Sequence, residues 1–165
     1  MVSLRSAIVR RLPWLLLLAV AATACGGSSK DTKTTTGEAS TSASDYVTAG
    51  NQVCIRSDRR IFKIGRLSRD PKGWQRTADA GRIALGEMKK VTPPADRATS
   101  FRQMMQFANA LTLSIQEVHD ALVKSNYDVA TAAQFAAGRL QDRVHTAAKA
   151  AGLTFCQQPL TNWPV

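Results

Sequence analysis

From Tyr46 to Leu153 the apolar residues of this chain recur every three or four positions, and no stretch alternates long enough to form a strand. That period commits the segment to helices that each bury one stripe, because side chains three and four apart share a helix face whereas those of a strand alternate. Ala, Leu, Gln, Arg and Met recur through it and β-branched residues are scattered, in keeping with helix propensity. The roughly 120 residues involved are enough for one compact core and too few for several domains.

Breakers divide the segment into four runs. The first, Asp45 to Arg66, places Tyr46, Gly50, Val53, Cys54, Ile61 and Ile64 on one face. The second has Asp70 as N-cap and Pro71 at the first helical position, then aligns Trp74, Ala78, Gly81, Leu85 and Met88 before stopping at Val91. The third is expected to start in Thr92, Pro93 and Pro94, with Thr92 as cap, and to run to about Ser125 with Phe101, Met104, Met105, Ala108, Leu111, Ile115, Val118 and Leu122 inward. The fourth begins near Asp128, carries Val129, Ala133, Ala136, Leu140, Val144, Ala147 and Ala151, and ends in a Schellman-type Gly152-Leu153 pair. Its many alanines imply close backbone approach to a neighbour. Short connections favour antiparallel neighbours, so the expected fold is all-α: an antiparallel, up-down-up-down four-helix bundle over residues 45–156.

What precedes the helices has a different character. Arg5, Arg10 and Arg11 lead into the apolar run Trp14 to Ala24, about 11 residues where a membrane-spanning helix needs about 20. A basic start, a short apolar centre and small residues before a cut point mark a cleaved signal peptide, residues 1–24. The ending Ala22-Thr23-Ala24-Cys25-Gly26-Gly27 resembles the bacterial lipoprotein signal. The resemblance implies a diacylglycerol on the sulfur of Cys25, which becomes the first mature residue. The same residues also satisfy the Ala-x-Ala pattern of an ordinary secretory peptide, which would leave the protein secreted and Cys25 a free thiol. Gly26 to Ser44 holds no large apolar residue and reads as a flexible tether with a root-mean-square reach of about 25 Å. Residues 157–165 form a C-terminal tail.

Three cysteines are present, and an exported protein with an odd number must account for one of them. Lipidation of Cys25 leaves Cys54 and Cys156 to form one disulfide, whose long loop stabilises by roughly 4 to 5 kcal/mol in the chain-entropy model. Two cysteines so far apart, with only His119 and His145 elsewhere, match no zinc spacing, so no metal and no cofactor are expected. The signal, the tether, the Asp45-Tyr46 helix start, Cys54 in the first run and the ending Ala150-Ala151-Gly152-Leu153 before Cys156 together resemble the small two-cysteine helical lipoproteins common in actinobacteria. The resemblance implies a place, the outer face of the cell membrane, and a shape. It carries no activity.

Charge is the second signal. Without the three arginines of the signal, 19 basic residues face 12 acidic ones, a net charge of +7. Arg56, Arg59, Arg60, Lys63, Arg66 and Arg69 concentrate the surplus opposite the apolar face of the first run, with Asp58 and Asp70 the acids nearby. Such a stripe suits anionic headgroups, an anionic wall polymer or an acidic envelope protein, and the plain alternative is a solvated face. Nucleic acid is not expected, because the stripe lacks interleaved stacking aromatics and export separates the protein from it. Ile55 and Phe62 lie off the main apolar stripe and form a second seam, either covered by the tail residues Leu160 and Trp163 or open to a partner.

No nucleophile elbow, zinc-protease helix, phosphate loop or dinucleotide fingerprint occurs, so no enzyme is expected. Gln116 and Asp142 stand three residues before His119 and His145, where a di-iron bundle needs Glu, and both histidines read as helix-surface residues. The leading functional reading is a tethered, non-enzymatic interaction module of the envelope. The alternative is a carrier or sensor with a small apolar or amphiphilic ligand in the bundle core, near Trp74, Phe101, Met105 and Phe107.

Overall fold

A computed structural model describes residues 42–67 and 69–157. The expected signal peptide, Cys25, most of the expected tether, and Leu160 and Trp163 lie outside the described residues. Within them the chain is all-helical, with α1 (Ala43–Ile64), α2 (Pro71–Met88), α3 (Ala98–Val123) and α4 (Tyr127–Ala150), followed by a 3-10 turn (Thr154–Gln157).

Local signals explain most boundaries. The Asp70 side chain accepts the Lys72 N–H and Pro71 opens α2, as the sequence predicts. Helix α1 begins two residues before the expected Asp45, because Ser42 Oγ accepts the Asp45 N–H at 3.1 Å and caps it. Gly65, at φ +80°, ends it. Asn126 caps α4 by accepting the Val129 N–H, and Leu153 N–H to Ala148 O with Gly152 N–H to Lys149 O completes the Schellman motif around Gly152 at φ +77°. The same hydrogen-bond pair closes α3 around Ser125, a non-glycine residue at φ +54°.

The start of α3 departs from expectation. Thr92 is not its cap and Pro93 and Pro94 are not its first turn: the helix begins at Ala98 after Arg97, whose N–H donates to Pro94 O in a preceding turn. A proline disfavours helical backbone in the residue before it, so two in succession hold Thr92 and Pro93 extended.

Small residues bring α3 and α4 together. Ala130, Ala133, Ala137, Ala147 and Ala148 are buried on α4, and Ser114 Oγ of α3 donates to Ala133 O at 3.0 Å. The predicted Ala133, Ala147 and Ala151 are buried, but the face is shifted toward Ala130, Ala137 and Ala148: Val129 is 40 % exposed, and Ala136 and Leu140 sit at the edge. Alanines at the centre allow a backbone approach that Val129 and Leu140 would prevent. Between α2 and α3, Gly81 faces Thr112 so closely that a Cβ there would lie 2.7 Å from Thr112 Oγ1.

Helix α1 is seated differently. Its backbone packs on α2 and on the 3-10 turn, while those of α3 and α4 stay beyond 8 Å, Cα to Cα. Side chains span the gap at one end. The buried Tyr46 ring meets Phe101 edge-on at 5.8 Å, and its hydroxyl donates to Ala151 O at 3.0 Å. Burial pushes the Tyr46 phenol pKa up, with Arg97 opposing. Asn51 accepts the Phe155 N–H and donates to Thr154 Oγ1. Cys54 and Cys156 are paired in a disulfide with Cα atoms 5.2 Å apart, 102 positions apart in sequence.

Candidate functional site

The apolar core falls into two clusters. One gathers Tyr46, Val53, Met88, Phe101, Met104, Leu153 and Cys156; the other gathers Leu67, Trp74, Ile115, Val118, Leu122 and the alanines of the first half of α4. A domain of this size ordinarily has one contiguous core. A half-open cavity of about 330 Å³ is lined by Val53, Met88, Met104 and Cys156 of the first cluster and by Ile115 of the second.

All four helices build it. Val53, Cys54, Ile55 and Ile61 come from α1, Gly81, Ala84, Leu85 and Met88 from α2, Met104, Met105, Ala108, Leu111 and Ile115 from α3, and Val144 and His145 from α4, with Phe155 and Cys156 at one end. Met105, Ala108 and Leu111, all expected in the core, are only partly buried, because the cavity lies where a packed neighbour would stand. Three of the chain's four methionines are in the wall, and their unbranched, polarizable side chains adapt to irregular occupants. The volume lies at the lower end of the range for small-ligand sites, roughly 300 to 1,000 Å³.

Polar capacity is confined to one part of the lining. Thr77 and Thr112 spend their hydroxyls on Gly73 O and Ala108 O of their own helices. That leaves Ser57, Asp58 and Arg59 of α1 and His145 of α4. Asp58 and Arg59 are exposed and mark the mouth. Burial pulls the His145 imidazole pKa down, with Asp142 opposing. This corrects its reading as a surface residue. His119 is likewise engaged: its Nδ1 donates to Pro71 O at 2.8 Å and ties α3 to the start of α2. Of the four residues expected at a cavity wall, only Met105 is there. Trp74 is fully buried in the second cluster, Phe101 packs on Tyr46, and Phe107 lies under the Arg143 guanidinium.

The basic stripe does not stand as one surface. Arg56 and Arg60 both grip Glu87 of α2, with Arg56 Nη2 at 2.8 Å from its carboxylate. Hydrogen bonds from Arg56 and then Arg60 hold the Glu87 carboxyl below the usual carboxylate range. Arg69 lies over the Tyr127 ring, 5.2 Å from its centroid. Arg59 borders the cavity, and Lys63 and Arg66 are exposed. The Ile55 and Phe62 seam also divides: Ile55 lines the cavity, while Phe62 is 64 % exposed. The Glu87 clamp was invisible in the sequence, because nothing there sets the register of α1 against α2. Its one trace is Glu87 itself, one of two glutamates in the helical segment, where α1 carries three arginines.

Among the described residues no group of three or more His, Cys, Asp or Glu could hold a metal ion, and no helix is long and apolar enough to cross a membrane. No protein-family model, no curated protein and no solved structure matches this chain.

Proposed function

We propose that this chain is a binding protein of the bacterial cell surface, a carrier or sensor that holds a small apolar or amphiphilic ligand in the cavity between α1 and the other three helices. The observation that carries this reading is the cavity of about 330 Å³, mostly apolar in its lining and built from all four helices. An empty space of that size forfeits dispersion and burial that Leu or Phe at Ala84 or Ala108 would supply. In this reading the helices run up-down-up-down, the domain stands on its tether from a lipid on Cys25 at the outer face of the membrane, and it binds rather than catalyses.

The interaction-module reading takes second place. Exposed Phe62 with Lys63 and Arg66 favours it, but Arg56 and Arg60 are committed to Glu87, which removes the centre of its stripe.

The test uses full-length protein purified from its membrane beside an Ala108→Leu variant, with organic extracts of both compared by mass spectrometry. A compound carried by the native protein and missing from the filled variant is the expected result. Identical extracts would count against a ligand in the cavity.

A further inference from the structure

The polar part of the cavity lining tells what kind of head group an occupant carries. Ser57, Asp58 and Arg59 are consecutive on α1, and His145 meets the same cavity from α4. The adjacent guanidiniums of Arg56 and Arg60 share the single carboxylate of Glu87, so that cluster keeps a net positive charge. Arg59 makes no ion pair among the described residues. From Arg56 to Arg66, α1 and the turn after it carry Arg56, Arg59, Arg60, Lys63 and Arg66 against Asp58, with Glu87 added from α2. Of these cations only Arg59 reaches the cavity lining, and the net positive charge of the helix around it favours an anion there. Everything deeper in the cavity is apolar or has its hydroxyl already engaged.

We infer that the cavity takes a single-chain anionic amphiphile, an aliphatic body lodged among Val53, Leu85, Met104 and Leu111 with a carboxylate at Arg59. The inference rests on the ligand-binding reading above and narrows its ligand class. Arg59 supplies the charge and the paired donors that suit a carboxylate. His145 adds a hydrogen-bonding group to the same cavity from α4. Asp58 opposes the anion, which gives the proposal a sign that can be checked by substitution.

The experiment uses full-length protein in nanodiscs of uncharged lipid, titrated calorimetrically with octanoate, 1-octanol and octylammonium, with empty discs as baseline. Octanoate is expected to bind on the order of tenfold more tightly than octanol, the advantage of one charge-assisted contact. Arg59→Gln should erase that advantage, with an unchanged circular dichroism spectrum reporting that the variant is folded. Asp58→Asn should increase it. Equal affinity for octanoate and octanol, unaffected by Arg59→Gln, overturns the head-group assignment and leaves a ligand cavity standing. Tightest binding of octylammonium, weakened by Asp58→Asn, overturns the assignment in favour of a cationic head. If none of the three binds, both the assignment and the ligand-binding reading fall.

Discussion

The α3–α4 interface and the seat of α1 join helices in opposite ways. Between α3 and α4, alanines and Ser114 let the backbones come close. Helix α1 is held at its edges instead: by Tyr46, Asn51 and the disulfide toward the end of the chain, and by Arg56 and Arg60 on Glu87 along α2. Between those fastenings its apolar face looks into a cavity. The comparison teaches that one small domain can separate strength from access. The tight pair is a scaffold, and the helix fastened by a few discrete bonds is the wall that can yield.

The largest expected effect comes from cutting the covalent fastening. Cys156→Ser should lower unfolding free energy by about 4 to 5 kcal/mol, the entropy of so long a loop. In hydrogen exchange α1 amides should lose protection well before those of α3 and α4; uniform loss along the chain would dissolve the distinction between the two regions. Next is one change made in both places. Ala137→Leu, at a fully buried α4 position, should cost about 1 to 3 kcal/mol by overpacking. Ala108→Leu, pointed at empty space, should be neutral or stabilise by up to about 2 kcal/mol. Denaturant midpoints of equal sign for the two variants would mean that the cavity is not free volume.

Tyr46→Phe is a smaller break. It removes the hydrogen bond to Ala151 O and should cost about 1 kcal/mol in urea unfolding, with faster exchange concentrated at the start of α1. The smallest effect concerns Glu87. Its folded pKa is depressed, so the stabilisation it adds is present above the ordinary carboxylate range and disappears as pH falls through the folded value. Acidification should therefore loosen α1 first, and Glu87→Gln should make α1 exchange nearly independent of pH in that range while weakening it at neutral pH. An unchanged acid response in the variant would show that the clamp contributes nothing.

Local chemistry was legible in the sequence and relative placement was not. Asp70-Pro71 and Gly152-Leu153 announced their helix ends because caps depend on a few neighbouring residues, and the buried faces of α1 and α3 followed from spacing. Pro93-Pro94 misled because the residues of a helix's first turn and of the turn before it have the same composition. The α4 face came out shifted because alanine belongs as readily at an edge as at a centre, and contact with α3 decides between them. Of the cavity wall only Met105 was legible: Ala108 and Leu111 look like core, and only the stand-off of α1 leaves them without a neighbour. Cys54 and Cys156 were legible as a pair, and their loop made the meeting of the first and last turns foreseeable.

The disulfide also decides how a pull travels through the protein. Tension applied between the segment before Ser42 and the segment after Gln157 enters α1, reaches Cys54 within its first turns and leaves through Cys156. The 101 residues enclosed by the bridge carry none of that load. A domain held at one end and dragged from the other would stretch only at its margins, and α2, α3 and α4 would ride beside the line of force with their packing undisturbed.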